Sequence, residues 1–218
     1  MLLVSVPPGP NGDPVLAAFG SQIAASRIRR IVYLSTIGVY ADHGGGWIDE
    51  TAALSGDGRR RMRIDAEAQW RATAGERATM LRLAGIYGPG RNALINLGAG
   101  TARRVVKPGQ VFNRIHVDDI AAAVAAAFAH PKAGIWNVCD DEPAPPQEVI
   151  TYAATLMGIA PPPEVAFEDA EMSAMARSFY ATSNRCTNAR LKQDLGVALA
   201  YPTYREGLGA LWRGGEGQ

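Results

Sequence analysis

The sequence predicts an α/β protein organised around a parallel sheet with crossover helices. Two features of the chain point there. Short aliphatic and β-branched runs end at turn residues, the mark of strands covered on both faces. They are Leu2 to Val6, Ile31 to Leu34, Met80 to Ala84 and Ile135 to Val138. Segments of helical periodicity lie between these runs, and strand–helix–strand–helix order implies a parallel sheet.

Each element has its own signal. Leu2 to Val6 reads as a buried strand stopped by Pro7 and Pro8. After GPNGDP, the residues Val15, Leu16, Phe19 and Ile23 recur at helical spacing. The second strand lies in RIVYLST, and a loop containing Gly44, Gly45 and Gly46 follows. A helix from about Arg59 to Ala74 sets Met62, Ala66 and Trp70 on one face. The third strand lies in ATMLRLAG, and GIYGPGR after it is a turn-rich loop. Val111 to Ile115 reads as a further extended piece. Asp118 and Asp119 open an Ala-rich helix that ends near His130-Pro131, and first-turn acids suit the helix dipole. Helices are expected at about 146–157, 188–195 and 203–212, with Thr187 as an N-cap and Gly196 as a stop.

The composition is that of a globular protein. The chain has 218 residues, 47% of them apolar and 20% charged. Its 22 basic and 21 acidic residues leave a net charge of +1, which weighs against a dedicated nucleic-acid binder. Four arginines do cluster at Arg59, Arg60, Arg61 and Arg63, so a nucleic-acid patch remains a third reading. Neither Cys139 nor Cys186 sits in a CxxC or in a set with zinc spacing, which suggests a reduced, cytoplasmic setting. No apolar run reaches membrane-spanning length, so no membrane partner is expected.

Five stretches, in order, are similar to the NAD-dependent epimerase/dehydratase family, the extended short-chain dehydrogenases/reductases. They are YLSTIGVYADHGGGWIDET, LRLAGIYGPGR, RIHVDDIA, WNVCDDEP and TNARLKQDLG. The resemblance implies a Rossmann-type sheet with a small C-terminal lobe, NAD or NADP as cofactor and a small-molecule substrate. It implies one domain over 1–218, with 88–116 and 141–218 as the substrate-side lobe. It marks Thr36 and Tyr40 as catalytic candidates, and Pro7, Ser35, Arg63, Ala84, Gly85 and Ile86 as cofactor-binding ones. Tyr40 stands equally for pocket lining and for packing.

The chain departs from that pattern twice. The family helix reads Tyr-x-x-x-Lys-x-x-x-Glu, in which the Lys charge lowers the phenol pKa from about 10 toward working pH. With Glu67 as that Glu, Arg63 takes the Lys position and Arg59 the Tyr position. A guanidinium, with a pKa above about 12, cannot trade protons but can hold a ribose or an anion. No Tyr-x-x-x-Lys occurs elsewhere in the chain.

Second, no strand leads through a Gly-x-x-Gly-x-x-Gly turn into a helix, so no pyrophosphate cradle is visible. By resemblance Leu2 to Val6 matches the family's fourth strand. The expectation is therefore a truncated Rossmann-type sheet, with an exposed apolar edge that favours self-association. The leading functional reading is an atypical oxidoreductase of the family, impaired as the chain stands. The competing one is a non-catalytic dinucleotide-, metabolite- or partner-binding protein. His43 and His116 read as a loop residue and a structural hydrogen-bonding residue. Phe112, where nucleotide-sugar enzymes of the family carry Arg, argues against a nucleotide-sugar substrate.

Overall fold

A computed structural model describes residues 1–218. In chain order its elements are β1 (Leu2–Val4), α1 (Pro14–Ala25), β2 (Ile31–Thr36), β3 (Trp47–Ile48), α2 (Gly58–Ala74) and β4 (Ala78–Leu83). Then come β5 (Gly85–Tyr87), α3 (Ala93–Gly98), β6 (Arg104–Val106), β7 (Arg114–His116), α4 (Val117–Ala129) and β8 (Ile135–Val138). The chain closes with α5 (Pro146–Met157), β9 (Glu164–Ala166), α6 (Ala174–Ser178), β10 (Arg185–Cys186), α7 (Ala189–Gln193) and α8 (Tyr204–Arg213). No helix is long and apolar enough to cross a membrane.

The main sheet runs β1-β2-β4-β8, every pair parallel, as the alternating pattern predicts. Successive strand residues face opposite ways. On one face Val4, Ile31, Tyr33 and Met80 pack against Ile23 of α1 and Ala66 and Trp70 of α2. On the other, Val32, Leu81, Leu83 and Val138 pack against Ala123 and Ala127 of α4. Met62 of the predicted stripe is only half-buried, while Ala66 and Trp70 are buried.

A second core joins Tyr87, Leu94, Leu97, Val149, Tyr204 and Leu208 from β5, α3, α5 and α8. Within 141–218 the chain also returns to the sheet. Cys186, Leu191 and Val197 are buried in the sheet's core, and β10 pairs with β3. Asn188 rather than Thr187 stands at the cap position of α7, although the Thr187 hydroxyl still accepts the Ala189 amide at 3.2 Å. Both cysteines are buried and unbridged.

The first strand ends at Val4, two residues short of the expected Val6. Its only partner is β2. Phe19, on the same helical stripe as buried Ile23, is 55% exposed, and Leu3 on β1 is 45% exposed. An apolar groove of about 420 Å³ runs between β1 and α1, floored by Leu2, Val15 and Ile23.

Candidate functional site

In open parallel sheets, ligands settle outside the carboxyl ends of the strands. Several of the proposed residues stand at that end. Pro7 follows β1 and is exposed; Thr36 closes β2; Ala84, Gly85 and Ile86 follow β4. Thr36 pairs in register with Leu83, so these segments are neighbours.

Local geometry leaves usable groups there. The Thr36 Oγ1 accepts the Gly38 amide at 3.1 Å, capping a short 3-10 turn, and its O–H stays free to donate. From α2, the Arg63 Nη1 donates to the Leu34 carbonyl at 2.9 Å and the Tyr33 hydroxyl at 3.1 Å. That fixes the guanidinium beside the end of β2 with its other nitrogens unspent. The Gly85 amide donates to the Asn113 carbonyl at 3.0 Å, and a Cβ on Gly85 would lie 3.1 Å from that oxygen. Glycine keeps this backbone open to close approach. Ile86 is 38% exposed, while Ala84 is buried, its amide held by the Val138 carbonyl.

Two of the proposed residues turn inward. The buried Ser35 hydroxyl donates to Glu67 Oε1 at 2.5 Å. Tyr40 is 0% exposed; its hydroxyl donates to Asn137 Oδ1 at 2.7 Å and accepts from Arg82 Nη1 at 2.9 Å. Burial pushes this phenol up from its ordinary value. Of pocket and packing, the contacts of Tyr40 are those of packing.

Glu67 also receives Arg82 through two bonds, at 2.8 and 3.1 Å. The network continues through the Asn137 amide to Glu50 Oε1 at 2.8 Å. Arg82, Asn137 and Glu50 were not singled out in the sequence. Their signal was there: an Arg inside MLRLA and an Asn inside IWNV interrupt strands buried on both faces. A charge in such a place needs a partner.

The arginine cluster fans out rather than forming one patch. Arg60 donates to the Gly38 carbonyl at 2.7 Å and to the Tyr40 carbonyl. Arg61 pairs with Asp65 at 2.9 Å along the helix, Arg63 faces β2, and Arg59 is exposed.

The turn into α1 does not offer a phosphate cradle. Buried Asp13 caps that helix, accepting the Val15 and Leu16 amides at 2.9 and 3.0 Å and the Trp70 indole at 2.8 Å. A helix N-terminus favours one anion, and here a carboxylate already supplies it. The residues present therefore fit the ribose and nicotinamide end of a dinucleotide, and this turn does not fit its pyrophosphate. A groove of about 640 Å³ at the opposite end of β4 and β8, beside Arg71, Glu76 and Gly134, meets none of these residues.

His43 is exposed on its loop. His116 is buried, its Nδ1 accepts the Asp118 amide at 3.2 Å, and burial lowers its pKa. Asp119 grips the Ala200 and Tyr201 amides at 2.7 and 3.1 Å, tying α4 to the chain ahead of α8.

Comparison with known proteins agrees with this architecture. A 3-diazoavenalumate denitrifying reductase from Streptomyces is 30% identical over 202 residues, covering 85% of this chain and 66% of its own. The chain thus spans just under two thirds of that relative's length. A conserved protein of unknown function from Silicibacter pomeroyi has a solved structure with 53% identity and a TM-score of 0.93, covering 98% of this chain and 77% of its own. A human epimerase family protein, SDR39U1, solved with NADPH, shares the fold at a TM-score of 0.71 and 16% identity, over 91% of this chain and 73% of its own. The NAD dependent epimerase/dehydratase family model matches residues 15–139, more than half of the sequence, and the chain belongs to that family.

Proposed function

We propose that the chain is an atypical NAD(P)-dependent oxidoreductase acting on a small molecule, impaired as it stands. The observation that carries this is the convergence of Thr36, Arg63 and Gly85 at one end of the sheet. When bound, the dinucleotide supplies hydride transfer. Arg63, with its unspent N–H groups, would hold a ribose hydroxyl, Thr36 would donate to a substrate oxygen, and Gly85 would leave its backbone open to the nicotinamide. No phenol stands ready to pass the proton: Tyr40 is sealed in the core and Arg59 occupies the tyrosine position. Family membership and the NADPH found in the human fold neighbour support the cofactor reading.

Calorimetric titration with NADPH and NADH tests it. Saturable binding is expected, weakened about 10-fold or more in Arg63→Ala, since hydrogen bonds from charged groups contribute about 1.5–3 kcal/mol. No binding of either cofactor removes this reading. Binding with no turnover of carbonyl substrates favours the second one, a non-catalytic dinucleotide or metabolite binder. The exposed Arg59 and the carboxylate-capped α1 favour that alternative.

The same reading includes a reduced, cytoplasmic setting and association of copies through the outer edge of β1. Backbone groups on an unpaired edge recruit strands, and Leu3 and Phe19 leave apolar surface beside it. Light scattering should give more than one copy per particle, reverting toward one in Leu3→Lys; a monodisperse monomer at high concentration removes the association.

A further inference from the structure

We propose that Arg114 is the anchor of a carboxylate-binding site in the substrate-side lobe. The proposal names a substrate class for the oxidoreductase reading and rests on it. β5 and β7 form a separate two-stranded sheet, in which Arg114 pairs in register with Gly85, the residue proposed to face the cofactor.

Arg114 is half-buried, yet no carboxylate oxygen lies within ion-pair distance of it. The contrast is with Arg82, whose buried guanidinium has Glu67 at 2.8 Å. Arg114 Nη1 is spent on the Phe112 and Ala144 carbonyls, at 3.0 and 3.2 Å. These bonds hold the guanidinium plane, while Nε and Nη2 donate to nothing in the protein and still touch solvent. The Tyr204 ring lies 5.7 Å from its central carbon.

The neighbours are donors without acceptors. The Tyr204 hydroxyl is buried and has no hydrogen-bond partner. Asp140 Oδ2 is likewise buried and unpartnered. Burial pushes the Asp140 carboxyl up to about 8, which weakens it as a counter-ion for Arg114. A half-buried cation and a phenol thus lie together with no carboxylate in ion-pair contact with the cation. A ligand carboxylate completes the site, accepting two N–H bonds from the fixed guanidinium edge.

Benzoate is the probe, with benzamide as its neutral isostere. Nitrogen-15 NMR of the full chain at pH 7 follows the Arg114 Nε–H signal, assigned by its absence in Arg114→Lys. A saturable benzoate-dependent shift of that signal is expected, with benzamide at least 10-fold weaker. Arg114→Gln should weaken benzoate at least 10-fold, and Arg91→Gln, an exposed arginine, should leave it unchanged. Equal affinity for benzoate and benzamide, or an unaltered benzoate affinity in folded Arg114→Gln, overturns the proposal. If Arg114→Gln does not fold, the benzoate and benzamide comparison on the parent protein decides alone. NADPH binding separates the two readings: its loss with benzoate binding intact removes the cofactor and leaves the carboxylate site standing.

Discussion

Replacing Glu67 by Gln should destabilise the protein more than almost any other single change at constant size. The Glu67 and Arg82 side chains are 5% and 3% exposed, so neither charge is solvated. Glu67 accepts three bonds, from Ser35 at 2.5 Å and from Arg82 at 2.8 and 3.1 Å. Glutamine can keep the Ser35 contact but not the charge. Its oxygen could still accept from Arg82 Nε, but its NH2 would replace the acceptor that Arg82 Nη2 uses, leaving the guanidinium neutral acceptors alone, among them the Tyr40 hydroxyl at 2.9 Å. Breaking one side of a buried ion pair costs about 3–5 kcal/mol, because the other charge stays behind unpaired. For a chain of this size, at about 2–4 °C per kcal/mol, the midpoint should fall by roughly 6–20 °C. Urea melts followed by far-UV circular dichroism measure the loss. The pair lies out of solvent, so 0.5 M salt should change it little. The double variant Glu67→Leu with Arg82→Met should lose less than the two single losses summed, since no lone charge remains. A Glu67→Gln loss under about 1 kcal/mol, or strictly additive single losses, would mean that the network is not what clamps α2 to β2 and β4.

Two further predictions concern the lobe. A Cβ on Gly207 would lie 2.1 Å from the Tyr87 hydroxyl, so Gly207→Ala should cost about 1–3 kcal/mol by overpacking, and Tyr87→Phe should relieve part of it; thermal melts of the three variants check this, and a neutral Gly207→Ala contradicts the close packing of α8 on β5. Asp140 has a folded pKa of about 8, raised above its unfolded value, and is faced by Arg114 from β7, Tyr87 from β5 and Asp141 and Glu142 on its own segment. The native state therefore holds its proton longer than the unfolded state, so stability should fall as pH rises from about 4 to 8. Asp140→Asn should flatten that slope in urea melts at several pH values, and a parent profile parallel to the variant's rules out the protonated carboxyl.

The architecture was legible because it rests on local periodicity. Runs such as IVYL and MLRL can be buried on both faces only in a covered parallel sheet, and the helix over 146–157 reads directly from its spacing. The site was legible in part. Thr36 and Gly85 lie where strand-end positions put them, on one side of a parallel sheet, and Arg63 on α2 donates to the carbonyl of Leu34 near the end of β2. Ser35 and Tyr40 did not follow. Strand alternation and the 3-10 turn after Thr36 decide which way a side chain faces, and here those two hydroxyls meet Glu67, Arg82 and Asn137 in the core.

Chain order alone thus settles that this is a parallel α/β fold, because strand and helix spacing are local properties. Which charges are matched is not local. Arg82 finds Glu67 fifteen residues away, and Arg114 has no carboxylate within ion-pair distance. Both sit in short strands, and only the packing of distant segments determines which of them has an anion beside it.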